Sequence, residues 1–197
     1  MIRKEQIMET AFDVFTQRGI KDVSMDDIVR TLKISKKTLY DYFSNKEDLV
    51  LQSSRFKLDK LKNKLDYISA SMDNSLEVIV FGALKGFKFF HVSSENFKKD
   101  ALADVKLQKL FSDTKAELDK RGFRVINRGV EEGMIERDQN FDVLVSLFRQ
   151  QLLEAKAEHK MPGTPEKNCF DFITTVLRGI CTDKGRKVID ELRARYN

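Results

Sequence analysis

The stretch Ser35–Leu49, S-K-K-T-L-Y-D-Y-F-S-N-K-E-D-L, admits few folds. Ser35 is a natural helix cap, because its hydroxyl can accept from a free backbone N–H of the first turn. Four-residue spacing then sorts the following side chains into rows. Leu39 and Phe43 share one row and must face a core. Lys36 and Tyr40 share a second, with Lys37 beside it, and Thr38 and Tyr42 form a third. A short helix that buries two side chains and presents lysines, a hydroxyl and two phenols is suited to touching an anion. Over residues 33–46, Lys33, Lys36, Lys37 and Lys46 oppose only Asp41, a net charge of +3.

The residues before this stretch complete a motif. Ser24-Met25-Asp26-Asp27 fits the S-x-x-D capping box, with Ile28, Val29 and Leu32 giving the apolar face behind it. Only Lys33-Ile34 separates that helix from Ser35. Two short helices joined by so tight a turn form a helix-turn-helix, whose second helix enters the DNA major groove. Residues 2–18 predict a first helix, with Ile7, Ala11, Val14 and Phe15 at helical spacing and Gly19 ending it.

The run V-S-M-D-D-I-V-R-T-L-K-I-S-K-K-T-L-Y-D-Y-F-S-N-K-E-D-L resembles the signature of the tetracycline-repressor (TetR) family, most specifically in T-L-Y-x-Y-F-x-N-K-E-x-L. The match covers about the first fifty residues. It implies a dimeric, ligand-responsive transcription regulator, most often a repressor, that binds a palindromic operator in double-stranded DNA. Thr38, Tyr40, Tyr42 and Lys46 match family positions that meet DNA. Thr38, Tyr42 and Lys46 are expected on phosphates, Lys36 and Lys37 on base edges, and Tyr40 on either. Ser24 and Ser35 are expected to bring helix N-termini to phosphate oxygens. Asp41 either accepts from a cytosine amine or pairs with Lys37. The chain departs from the family at Lys33 and Lys37, where the family often has glycine or a small residue; lysine at 33 makes the turn less permissive, since positive φ is costly without glycine.

The rest of the chain predicts an all-α protein of about nine to ten helices. A helix-turn-helix DNA-binding domain at 1–46 sits on a helical ligand-binding and dimerisation domain at 47–197. Only two prolines and nine glycines interrupt 197 residues. Ser44-Asn45-Lys46-Glu47 reads as a second capping box, opening a helix that runs to about Ser69 without a linker. Residues 76–92 are apolar on nearly all sides, so that helix should be central. Its Phe81, Phe87, Phe90 and His91, with Phe111 further on, read either as core packing or as the wall of a pocket for a small apolar ligand. A break is expected near Asp100–Asp104 and a long helix over Ser112–Gly133. The last third carries two apolar stripes, Phe141, Leu144, Phe148 and Leu152, and Phe172, Ile173, Val176, Leu177 and Ile180. Two such helices from each of two chains make a four-helix bundle, and the resemblance implies the same homodimer interface.

Other function classes lose ground on the residues themselves. No G-x-S-x-G, P-loop, H-E-x-x-H or paired-carboxylate constellation occurs, and there are only two histidines. The chain is therefore not read as an enzyme, and no catalytic residue, metal or cofactor is expected. Cys169 and Cys181 form no C-x-x-C pair and read as reduced core cysteines. No apolar run reaches the roughly 18–20 residues that span a bilayer, and no signal-peptide core is present, so no membrane is expected and the location is cytoplasmic. The formal charge of +5 suits nucleic acid without deciding for it. The alternative is a helical interaction module whose head has lost DNA binding.

Overall fold

The computed structural model describes residues 3–143, 145–146 and 163–196. Among them the fold is all-α, as expected, with one isolated antiparallel bridge between Ile135 and Cys181. The helices are α1 (Lys4–Arg18), α2 (Met25–Leu32), α3 (Lys36–Tyr40), α4 (Lys46–Ser71), α5 (Ser75–His91), α6 (Glu95–Ala103), α7 (Val105–Glu131), α8 (Pro165–Ile180) and α9 (Asp183–Tyr196). Residues 141–143 and 145–146 are also helical.

Local chemistry sets most boundaries. Ser24 Oγ accepts from Asp27 N at 3.1 Å while Asp27 Oδ2 accepts from Ser24 N at 2.8 Å, the reciprocal box that starts α2. At the start of α4 the box lies one residue later than expected. Asn45 Oδ1 accepts from Asp48 N at 2.8 Å, and Asp48 Oδ2 accepts from Ser44 N at 3.0 Å, so Asn45 and Asp48 replace Ser44 and Glu47. Asparagine caps as well as serine does. Thr164 caps α8 with Pro165 at its first position, where a missing N–H costs nothing. The expected break falls at Asp104, which is extended, so the long helix begins at Val105 rather than Ser112.

The chain divides into two compact units that do not coincide with a cut at 46/47. The first comprises Met1–Lys62 and Val92–Ala116, and the second Asn63–His91 and Glu117–Asn197. α4 and α7 each contribute residues to both. In the first unit the head is tied to later segments by specific bonds. Ser94 N donates to Thr16 O at 2.7 Å. Phe12 meets Phe97 edge to face at 5.9 Å between centroids, and Lys57 Nζ lies 2.8 Å from Asp13 Oδ1. Ile7, Phe12, Phe15, Ile28, Leu39, Phe43, Leu49 and Leu58 are buried. Each such side chain contributes about 1.5–3 kcal/mol relative to exposure.

The second unit has its own core, formed by Leu76, Val80, Leu84 and Phe87 of α5 with Ile135, Phe170, Ile173, Leu177, Ile189 and Leu192. α5 is therefore central, as its pattern predicts. α7 ends before Gly133, whose φ of +66° turns the chain. The returning strand-like residues then bond α8's exit: Glu136 N donates to Ile180 O at 3.0 Å and Thr182 N to Met134 O at 3.0 Å.

Candidate nucleic-acid interface

The helix-turn-helix assembles as the sequence pattern requires. Lys33 occupies the turn with φ 53° and ψ 43°, the left-handed region, and its N–H donates to Arg30 O at 3.3 Å. It is the only non-glycine residue with positive φ among the described residues. Ser35 then caps α3, accepting from Thr38 N at 3.0 Å, and its hydroxyl lies 2.8 Å from Thr38 Oγ1. Leu39 and Phe43 are buried and hold α3 against the unit. Lys36, Lys37 and Tyr40 are left exposed, while Thr38 is half-buried.

Each expected contact residue has a defined place. The hydroxyls of Ser24 and Ser35 are committed to their caps. Tyr42 is half-buried with its ring tilted on Phe43 at 6.3 Å. Lys46 Nζ donates to Lys21 O at 3.4 Å, reaching the turn between α1 and α2. Lys37 and Asp41 form no ion pair among the described residues, so the i,i+4 option for Asp41 is not used, although its N–H donates to Lys37 O at 2.8 Å. Lys4 stands over the Phe43 ring at 5.2 Å.

The charges are arranged by neighbours that the rows did not reveal. Lys36 Nζ lies 2.8 Å from Asp26 Oδ2 on α2, and this hydrogen bond and charge raise the lysine pKa. Asp27 is pulled down to about 2, first by the Ser24 hydroxyl, then by the Ser24 N–H and by Arg30. The turn before α2 is held by Asp100 of α6, whose Oδ2 accepts from Lys21 N at 2.9 Å. Three of these partners, Asp26, Lys21 and Asp100, lie outside the sequence expectation. Asp26 sits ten residues from Lys36 and Asp100 lies 79 residues from Lys21, and no local spacing signals either pairing.

The residues expected elsewhere are only partly brought together. Leu144, Phe148 and Leu152 lie outside the described residues. On α8, Cys169, Phe170, Ile173, Thr174 and Leu177 are buried. Ile173 and Leu177, assigned from sequence to a subunit interface, are thus used by the core of their own unit. Phe172, Val176 and Ile180 remain half-buried, and Ile180, like Phe141, packs on that core. The inward face is rotated from the expected stripe because Phe170 and Thr174 turn inward. Each of the five residues of the expected pocket has a defined place within its own unit. Phe87 is buried and stacks on His91 at 4.5 Å. Phe81 packs on the core, Phe90 is 37% exposed, and Phe111 belongs to the first unit, edge-on to Phe97 at 6.3 Å.

Residues 7–52 match the family described as bacterial regulatory proteins, tetR family. Along nearly the whole chain, the HTH-type transcriptional repressor KstR2 of Mycolicibacterium smegmatis is 23% identical over 193 residues, 94% of each chain. Among solved structures, a TetR-family transcriptional regulator from Marinobacter aquaeolei superposes with a TM-score of 0.75 at 19% identity, covering 100% of both chains. The ketosteroid transcriptional regulator KstR2 of Mycobacterium tuberculosis does so with a TM-score of 0.69 at 22% identity, covering 93% of this chain and 97% of that one.

Proposed function

The chain belongs to the tetR family of bacterial regulatory proteins and is a DNA-binding transcriptional regulator; from that premise we propose that it is a homodimeric, ligand-responsive repressor of a palindromic operator. The observation that carries the reading is α3 itself. Its apolar row is spent on the core, and Lys36, Lys37 and Tyr40 stand exposed beside one another.

In this reading Lys36 and Lys37 read base edges, where lysine donates to guanine O6 or N7. Thr38, Tyr42 and Lys46 fix the head on phosphates. The dimer joins through the outward side of α8, at Phe172 and Val176, with the apolar stripe of 141–152. The ligand is largely apolar and binds in the second unit along α5, at Phe81, Phe87, Phe90 and His91. α4 belongs to both units, which gives ligand binding a covalent path to the head. Among the described residues no helix is long and apolar enough to cross a membrane, in keeping with a regulator that works in the cytoplasm with its DNA.

Gel-shift binding to the DNA upstream of the chain's own gene tests the reading. Sequence-specific retardation is expected, weakened on all DNAs by Lys46→Ala, whose salt slope should fall by roughly one unit. Lys37→Ala should also change which sequence is preferred. A folded protein that retards no upstream DNA overturns the assignment and leaves an interaction module.

A further inference from the structure

The final helix carries a charge pattern that DNA binding does not use. Arg186, Asp190 and Arg193 recur on one side of α9, and α8 presents Thr175, Arg178 and Gly179. Thr175, Arg178, Gly179, Arg186 and Arg193 line a cleft of about 390 Å³ in the second unit. Arg178 donates from Nε and Nη2 to the two Asp190 oxygens at 2.9 and 3.4 Å. Arg186 Nη1 lies 3.2 Å from Asp183 Oδ1, and Arg193 Nη2 donates to the Thr175 hydroxyl at 3.1 Å. Three guanidiniums therefore meet two carboxylates, and Arg193 is held by a neutral hydroxyl. A methyl group added at Gly179 would meet nothing within 4 Å, so the wall is open there.

Arginine keeps its charge at any physiological pH, and its planar fork pairs two N–H groups with the two oxygens of a carboxylate or phosphate. Asp190 already demonstrates that geometry on Arg178. We infer that this α8–α9 cleft binds a small ligand bearing a phosphate or carboxylate oxyanion, held by Arg178, Arg186 and Arg193. Asp190 is the internal counter-ion that such a ligand displaces from Arg178. The ligand differs in chemistry and place from an apolar molecule on α5, and the site stands whether or not that reading holds.

Titration calorimetry on the full chain tests the site, with inorganic pyrophosphate and citrate as probes at an ionic strength held constant with chloride. Saturable binding, one probe per chain, is expected. Arg193→Gln or Arg186→Gln should weaken it about tenfold or more, as for a lost charge-assisted hydrogen bond. Asp190→Asn should tighten it several-fold, a gain that general screening of surface charge does not produce. Pyrophosphate binding alone assigns a phosphate ester and citrate binding alone a carboxylate. The inference is overturned if neither probe binds the wild type or Asp190→Asn. It also fails if the arginine variants, folded by circular dichroism, bind as the wild type does. If neither probe binds and the arginine variants sediment as monomers, the cleft belongs to a subunit contact.

Discussion

Lys36 on α3 and Asp26 on α2 close an ion pair across the helix-turn-helix, with Nζ 2.8 Å from Oδ2 and both side chains more than half exposed. The lysine proposed to read a base edge is thus already engaged by an acid of its own motif. An exposed pair of this kind adds little to stability, whereas DNA must compete with it. Asp26→Asn should leave the melting temperature nearly unchanged and raise operator affinity several-fold in gel shifts at fixed salt. Unchanged affinity in a folded Asp26→Asn protein would show that Lys36 does not enter the interface.

Lys33 carries the other cost built into this motif. Its φ of 53° is a conformation that costs an L-residue roughly 1–2 kcal/mol and glycine nothing. Glycine returns part of that gain through the larger entropy of the unfolded chain. Lys33→Gly should therefore stabilise the protein by about 0.5–1 kcal/mol in denaturant titrations. It should also weaken DNA binding slightly by removing a charge. A loss of stability would mean that the lysine side chain contributes more than its backbone costs.

These two residues mark how far the sequence could be read. The caps at Ser24, Ser35 and Thr164 and the buried pair Leu39 and Phe43 follow from local chemistry, and all stand in the structure. The cost at Lys33 followed from the resemblance, which places glycine or a small residue in that turn. The Lys36–Asp26 bond did not, because it depends on how α2 and α3 cross. The same limit applied on α8. Apolar residues at 169, 170, 172, 173, 176, 177 and 180 surround much of the helix, so periodicity identifies the helix and leaves its rotation open. The rotation is set by packing on Leu76, Val80 and Ile189, which are distant in sequence.

Acid should release part of the stability held at the head. Asp27 has its pKa lowered from 3.8 to about 2 by the Ser24 hydroxyl and N–H and by Arg30. A carboxyl whose folded pKa lies below its unfolded one stabilises the protein above the unfolded value, and that contribution fades as pH falls through the folded one. The loss should thus run from near pH 4 to near pH 2. Asp27→Asn should flatten the fall in melting temperature over that window and lower the plateau above it. Parallel curves for the two proteins would remove Asp27 from the acid response.

The rotation of α8 separates two substitutions that the sequence alone would treat alike. Ile173 is 1% exposed in its own unit, so Ile173→Ala should cost about 2–5 kcal/mol of stability by cavity formation. Val176 is half-buried and is assigned to the subunit contact. Val176→Asp should keep the wild-type helical signal and shift sedimentation from dimer to monomer. A folded Val176→Asp protein that remains dimeric places the contact on another face.

Gly86 offers the sharpest test of the ligand reading. A Cβ added there would meet nothing within 4 Å, whereas one added at Gly82, one turn earlier on α5, would lie 3.7 Å from Leu65 Cδ2. Gly86 lies in the same turn of α5 as Phe87, which stacks on His91 at 4.5 Å. Gly86→Phe should therefore fold, since its first side-chain carbon has room, and its ring should occupy the volume proposed for an apolar ligand. A ligand shifts DNA affinity only through its differential affinity for two conformations, typically about 1–3 kcal/mol of coupling. A thermal-shift screen of metabolites identifies the ligand by the stability it adds to the wild type. In the variant that ligand should add none, and operator affinity should stay the same with and without it. An unchanged ligand response in Gly86→Phe would move the binding site away from this part of α5.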